Sequence, residues 1–514
     1  MKVASAIQRH EDPCNMLNEP TSLADDSNFG NRVRSAVVWR SGTQIIAQLV
    51  TWGSTLAVIR LLNPADYGIF AMTQVVMVFL TFMSGYGFAS FLVQAEKVDE
   101  IRIRQTFGLL ILLNAGIAIL QMLLASIVSA YYRQPIIEDM LHLQALIFLA
   151  SPFIILGEAL LARELEFRKT AIVNLLSAMV SASVALYCAL SGYGVWTLVL
   201  APLSGFWIRA IGMFFFARLY FWPSFNFKGI EENLTFGLAL LGSHMFWTIQ
   251  SQSDIFIAGR SLPPHDLGIY AEALFFTTIL TAKFIPPLNE VAFPAYAKIQ
   301  SDPASMRYAF LKAVRLIMLI SCPLYLGMSV TADPLVQTIF GPKWVEMAPF
   351  VGLLALAMPF MTLQIIFAPA INALGQPQTT LRISMFGAFT MPLIFLVAVQ
   401  WGTMGLVTGW LIAFPILTGF TFWMSHKKIG ITLIELAGAV APGLSSSVVM
   451  AAGVYLASRA IPGLETWPAY IQLGILVACG GILYTGLLWV LSPTTFKEIY
   501  SLVVRRKVKP APAL

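Results

Sequence analysis

Three charged residues interrupt one long apolar stretch. Glu272, Lys283 and Glu290 lie at separations of 11 and 7 residues. At about 100° per residue, an α-helix brings all three within about 20° of one face. A charge inside a membrane is costly, and it usually faces a partner or a wet cavity. Two chemistries fit the trio. Lys283 could bind phosphate as a mobile point charge while the two carboxylates hold it or exchange protons with it. Alternatively, Lys283 and Glu290 form a structural pair that only fixes packing. Pro286-Pro287 follows at once and should kink the helix, and a kink beside a buried cation suits a gate. Asp254 lies one apolar run earlier, four residues after Gln250. It reads as a counter-ion for Lys283, as a ligand for a coupling ion, or as a local backbone cap.

A second pattern is neutral. Arg40, Gln44, Gln48 and Thr51 fall at i, i+4, i+8 and i+11, which is one helical face. His244, Thr248 and Ser251 repeat it, with Gln44, Gln48 and Thr51 mapping onto them at a constant offset of 200. Amides facing hydrocarbon would lose their hydrogen bonds with water. Such a stripe either bonds across packed helices or lines a cavity, and its length and its Arg40 favour the cavity. Arg40 is near the end of its run and can also snorkel. Arg209, a lone basic residue in another run, reads as packing or snorkelling rather than as a site.

Other chemistry is poorly supported. Gly85-Tyr86-Gly87 and Gly192-Tyr193-Gly194 lack the strand–turn–helix setting of a phosphate loop, and no Walker sequence occurs. Cys14, Cys188, Cys322 and Cys479 are scattered, so neither a disulfide framework nor a metal site is indicated. No catalytic constellation stands out on a loop long enough to carry one.

The elements that must position these residues are membrane helices. Of the 514 residues, 58% are hydrophobic and 11% charged, and mean hydropathy is +0.76. A soluble chain of this length needs more charge to cover its surface. A span takes about 20 residues. Continuous apolar runs predict fourteen, near 40–61, 69–93, 106–130, 140–161, 170–190, 194–217, 236–258, 268–296, 314–332, 347–371, 383–399, 404–425, 434–458 and 469–491. Continuous rather than alternating runs favour helices over a barrel.

The net charge of +6 could suggest nucleic acid, but its distribution argues otherwise. With the N-terminus inside, 25 of the 32 Lys and Arg residues fall on the cytoplasmic side. Arg60, Arg133, Arg260, Lys343 and Arg459 fall on the other side, and Arg209 and Lys283 fall inside spans. This bias puts both termini in the cytoplasm. The first residues lack an apolar core like that of a signal peptide and read as a disordered tail. The basic run Arg505-Arg506-Lys507-Val508-Lys509 should lie against anionic headgroups.

The chain also repeats itself. Arg60-Leu61-Leu62-Asn63-Pro64-Ala65-Asp66-Tyr67-Gly68-Ile69-Phe70-Ala71 returns 200 residues later as Arg260-Ser261-Leu262-Pro263-Pro264-His265-Asp266-Leu267-Gly268-Ile269-Tyr270-Ala271. Both read as structural turns, with Pro setting φ and Asp bonding nearby backbone. A later match, from Pro135 to Phe153 against Pro342 to Phe360, has an offset of 207. Each copy covers six spans, so both enter from the same side as parallel repeats. The expected organisation is a cytoplasmic tail (1–35), a six-helix lobe (36–217), a linker (218–235), a second six-helix lobe (236–425), two extra helices (426–491) and a basic tail (492–514). The fold class is an all-α polytopic membrane protein with two lobes around a central cavity.

The order of several motifs completes the sequence reading. Trp39, Arg60 to Gly68, Gly192-Tyr193-Gly194-Val195-Trp196, Phe340-Gly341-Pro342-Lys343-Trp344 and Ala373-Leu374-Gly375-Gln376-Pro377 span residues 30 to 430. With fourteen spans, they make the chain resemble the polysaccharide transporter (Wzx/WzxC-type, teichuronic-acid-exporter-like) branch of the multidrug/oligosaccharidyl-lipid/polysaccharide flippase superfamily. That resemblance implies a V of two lobes, with helices 1, 2, 7 and 8 lining the cavity. It implies alternating-access translocation of an undecaprenyl-pyrophosphate-linked oligosaccharide for exopolysaccharide or O-antigen-like lipopolysaccharide synthesis in the bacterial inner membrane. It also implies coupling to protons or sodium ions, with no other cofactor. Partners would be the lipid-linked substrate, membrane lipids, and a polysaccharide polymerase and co-polymerase, with no nucleic acid. The expectation is a transporter rather than an enzyme. The alternatives are a lipid II flippase, a multidrug cation antiporter, and a membrane-embedded glycosyltransferase or polymerase. The last would need a large catalytic loop, and the extra helices count against the antiporter. The family carries no short catalytic motif, so the site residues rest on helical spacing. They are Arg40, Gln44, Gln48, Thr51, His244, Thr248, Ser251 and Lys283 for the cavity, and Asp254, Glu272 and Glu290 for gating or coupling.

Overall fold

The computed structural model describes residues 26–85, 99–226 and 231–491, with only the backbone described over 26–41, over 231–244 and at 280 and 491. The basic C-terminal tail and residues 1–25 lie outside this range. Every long element is helical, and no strand occurs among the described residues. In order they are α1 (Asp26–Leu61), α2 (Pro64–Met83), α3 (Glu100–Tyr132), α4 (Ile136–Arg163), α5 (Phe167–Leu190), α6 (Trp196–Phe216) and α7 (Glu231–Ser261). Then come α8 (Pro264–Lys298), α9 (Pro303–Val330), α10 (Ala348–Ala373), α11 (Pro377–Ala398), α12 (Gly402–Ile429), α13 (Leu433–Ala460) and α14 (Ala469–Leu491).

By length and composition, 12 stretches among the described residues can cross a membrane, one of them, Pro377–Ile429, joining α11 and α12. The chain is therefore a multi-pass, all-α membrane protein. One boundary differs from expectation. Residues 26–35, read as part of a disordered tail, belong to α1. No proline interrupts them, and extending an existing helix costs far less than nucleating one.

The local signals that start and stop these helices are ordinary chemistry. Asp302 caps α9 by accepting from Ala304 N–H at 3.0 Å, with Pro303 in the first turn. Hydrogen bonds from the Ser305 side chain, then from the backbone of Ser305 and Ala304, hold the Asp302 carboxyl below its usual range. Gly430 ends α12 at φ 76°, where a side chain would be strained. Two residues later Thr432 opens α13 with a reciprocal capping box to Glu435. Glu435 also pairs with Arg307 of α9.

The chain divides into two compact units, Met1–Leu62 with Met72–Met245, and Asn63–Ala71 with Phe246–Leu514. In the first, α4 packs against α3 and α6, and α5 packs against α6 and α1. Of the twelve spans, α4 is the most enclosed, 72% buried. Buried amides tie its helices together. Asn114 donates to Ser84 O at 2.8 Å, Gln121 to Leu141 O at 2.7 Å, and Gln144 to Thr73 Oγ1 at 3.2 Å. Lipid is as apolar as leucine, so packing and such bonds hold the bundle rather than water exclusion.

In the second unit α10 packs against α8, α9 and α12, while α13 packs on α9 and α14 on α13. The two additional helices are thus part of this unit. The second copy of the repeat reaches α10 through a short helix, Ala332–Ile339, and a 3-10 turn, Pro342–Met347, whereas the first enters α4 directly. The two repeated turns meet here. Gly68 lies so close to the Pro264 carbonyl, and Gly268 to the Pro64 carbonyl, that neither position has room for a Cβ. Tyr67 stacks edge-on against the fully buried Trp344, with ring centroids 5.3 Å apart. Asp66 accepts from Asn63 N–H at 3.1 Å. The unit boundary at Met245 falls inside α7, some residues beyond the linker expected at 218–235.

Candidate functional site

Gln44, Gln48 and Thr51 of α1 line a cavity of about 320 Å³ wholly within the first unit. Asn174, Ser177 and Ser181 of α5 form a second wall, and Pro202, Gly205, Phe206 and Arg209 of α6 a third. All lie in the middle turns of their helices. Helical periodicity explains two of these walls. Gln44, Gln48 and Thr51 repeat at 4 and 3 residues, and Asn174, Ser177 and Ser181 at 3 and 4, so each set forms a single stripe.

The polar groups of this cavity differ in how they are satisfied. Thr51 donates back to Ala47 O at 2.9 Å. Ser177 donates to Gly205 O at 2.8 Å and Ser181 to Ala201 O at 2.9 Å, tying α5 to α6. Arg209 forms an ion pair with Glu158 of α4. Among the described residues, the amides of Gln44, Gln48 and Asn174 have no hydrogen-bond partner. They contrast with Asn114, Gln121 and Gln144, whose amide nitrogens bond across helices in the same unit.

The second unit holds a different cluster. Asp254 of α7 is fully buried. Its Oδ2 accepts from the Tyr270 hydroxyl at 2.6 Å, and that hydroxyl accepts from Trp410 Nε1 at 2.6 Å. Its Oδ1 has no partner. The carboxylate is therefore held by Tyr270 and not by Lys283. Further along α8, Thr281 bonds to Tyr325 and, at 3.2 Å, to Thr362.

Lys283 and Glu290 are exposed on α8, and Glu272 is half-buried. No ion pair joins Lys283 to Glu290 within 4 Å. Thr248 is buried, and Ser251 donates to its carbonyl at 3.3 Å. The side chains of Arg40 and His244 lie outside those described. Helix α8 continues through Pro286 and Pro287.

Sequence reading passed over Arg209 as packing and did not single out Glu158, Asn174, Ser177 or Ser181. Two signals could have found them. Glu158 and Arg209 are opposite charges in two apolar runs of one lobe, and the α5 residues share the stripe spacing used to find α1. What could not be read was that α1, α5 and α6 are neighbours.

Comparison with known proteins completes the picture. Residues 57–349 match the family model described as "Polysaccharide biosynthesis protein". The chain belongs to this family. Among its curated relatives, the succinoglycan biosynthesis transport protein ExoT of Rhizobium meliloti is 24% identical over 346 residues, covering 65% of this chain and 69% of its own length. The teichuronic acid biosynthesis protein TuaB of Bacillus subtilis is 23% identical over 432 residues, covering 82% and 88%. The lipopolysaccharide biosynthesis protein WzxC of Escherichia coli is 21% identical over 377 residues, covering 72% and 76%. In fold, the family member is similar to the lipid II flippase MurJ, with a TM-score of 0.71, 13% identity, and coverage of 91% of this chain and all of that one. It is also similar to an inward-facing MATE-family multidrug transporter, with a TM-score of 0.61, 14% identity, and coverage of 77% and 98%.

Proposed function

We propose that the protein is a flippase that translocates a polyprenyl-pyrophosphate-linked oligosaccharide across the bacterial inner membrane by alternating access. The product would feed an exopolysaccharide or O-antigen-like polymer. The family match is the observation that carries this reading, since the relatives' names place them in the making or transport of extracellular polysaccharides. The polar cavity supports it, because a membrane bundle that serves only as scaffold has no use for three unpartnered amides. Lys283 supplies a positive charge at mid-helix for the pyrophosphate. Asp254, with one oxygen free of protein partners, is the candidate carrier of a coupling proton or sodium ion. Both termini would be cytoplasmic, and a polymerase and co-polymerase would take up the product. The protein would move its substrate without chemical change, so it would not be an enzyme.

The test is deletion of the protein in its own host, followed by analysis of polyprenyl-linked sugars on each face of the membrane. Loss of polymer with lipid-linked oligosaccharide confined to the inner leaflet is the expected result. An unchanged distribution across the leaflets refutes the reading. Retention of lipid II on the inner leaflet would instead support a lipid II flippase, the second reading, which the likeness in fold to MurJ favours.

A further inference from the structure

The cavity between α1, α5 and α6 can be assigned a part of the substrate from the charge and the hydrogen-bonding groups of its described lining. Its volume of about 320 Å³ lies near the lower end of the range for small-molecule sites, about 300–1,000 Å³. It is therefore too small for a whole oligosaccharide on a lipid carrier. Arg209 is the one cation among the described lining residues, and its guanidinium is paired through Nη2 with the Glu158 carboxylate, its Nε being left without a partner. A pyrophosphate entering here would compete with that carboxylate for Arg209 and be repelled by it. No acidic residue is among the described lining residues, so an organic cation would find no counter-charge there.

The unpartnered groups point the same way. Each of Gln44, Gln48 and Asn174 presents a carbonyl acceptor and an NH₂ donor. An oxyanion can only accept, so it would engage the three NH₂ groups and leave the three carbonyls without a donor. A sugar hydroxyl both donates and accepts, so it matches an amide at either end. The rest of the lining suits the ring itself. Phe206, Pro202 and Ala47 offer apolar surface to the C–H faces of a pyranose, whose hydroxyls project from its rim.

We propose that this cavity binds an uncharged sugar residue of the lipid-linked oligosaccharide, and that it does not bind the pyrophosphate. The assignment rests on the flippase reading for the identity of its ligand. It gives the first unit the task of reading the glycan.

The experiment uses the full-length protein with Gln48→Cys, or separately Asn174→Cys, and follows maleimide labelling of that peptide by mass spectrometry. Two substitutions on different helices guard against one that fails to fold. The probes are inorganic pyrophosphate and the free oligosaccharide released by mild acid from the host's lipid-linked pool. The oligosaccharide should slow labelling saturably, approaching about a tenfold loss at about ten times its half-effect concentration. Pyrophosphate at matched ionic strength should leave the rate unchanged. Protection by pyrophosphate overturns the proposal. So does full-rate labelling at both positions with oligosaccharide present, if the wild-type protein moves the intact lipid-linked form in proteoliposomes. Protection by oligosaccharide without translocation would instead overturn the flippase reading and leave the sugar site standing. Failure of both measurements overturns both.

Discussion

The closest approach of the two repeated turns predicts an unusual pattern of stabilities. A Cβ built on Gly68 would collide with the Pro264 carbonyl and lie 2.9 Å from Gly268 N, and one on Gly268 would collide with the Pro64 carbonyl and lie 2.9 Å from Gly68 N. Carbon atoms pack comfortably at about 3.5–4.0 Å. The opposing atoms are backbone, so no side chain can rotate away. Gly68→Ala must therefore push the first turns of α2 and α8 apart by about 1 Å or more. Overpacking typically costs about 1–3 kcal/mol, and an unyielding backbone contact puts this case at the upper end, about 3 kcal/mol. Gly268→Ala should cost the same. The double variant should cost well under the sum, about 3–4 kcal/mol, because one displacement relieves both clashes. Gly116 of α3 has nothing within 4 Å, so Gly116→Ala should be neutral or stabilising by up to about 1 kcal/mol. Unfolding in mixed micelles by titration with dodecyl sulfate measures all four proteins. If Gly68→Ala behaves like Gly116→Ala, or the two costs simply add, the close reciprocal packing is wrong.

Three further outcomes are expected. Cysteines at Asp66, Asp266 and Trp467 should label with an impermeant maleimide from outside the cell, and those at Lys97, Lys427 and Arg505 should not; the reverse pattern would overturn the orientation. Lys283→Ala should abolish polymer export at normal protein levels. Because Lys283 and Glu290 are both exposed and form no ion pair, adding Glu290→Ala should not restore export, and recovery in the double variant would show that the two charges matter only to each other. Tyr270→Phe strips both Asp254 Oδ2 and Trp410 Nε1 of their partner. It should destabilise the second unit by about 1–3 kcal/mol, and wild-type stability in the micelle titration would show that the network contributes nothing.

The all-helical class and the twofold repeat were legible in the sequence because they depend on local rules, whereas several helix starts were not: α1 begins at Asp26 and α9 at Pro303, well before the apolar runs that announce them. Apolar runs must be helical in lipid, since each backbone polar group has to be satisfied within its own segment. Pro64 and Pro264 mark helix starts by setting φ. Spacing along one helix also singled out Gln44, Gln48 and Thr51. It treated Arg209 as packing because periodicity describes one helix at a time. Whether a buried polar residue is glue or cavity wall depends on the helix opposite, and only the tertiary structure supplies that. Asn114 and Gln48 are both amides within apolar runs. One reaches the carbonyl of Ser84, and the other faces open space beside α5 and α6. Charge behaves likewise. Nothing along the chain pairs Arg209 with Glu158, 51 residues away, or gives Asp254 to Tyr270 rather than to Lys283. Those choices follow from which helices touch, and hydropathy says only that they lie in the membrane.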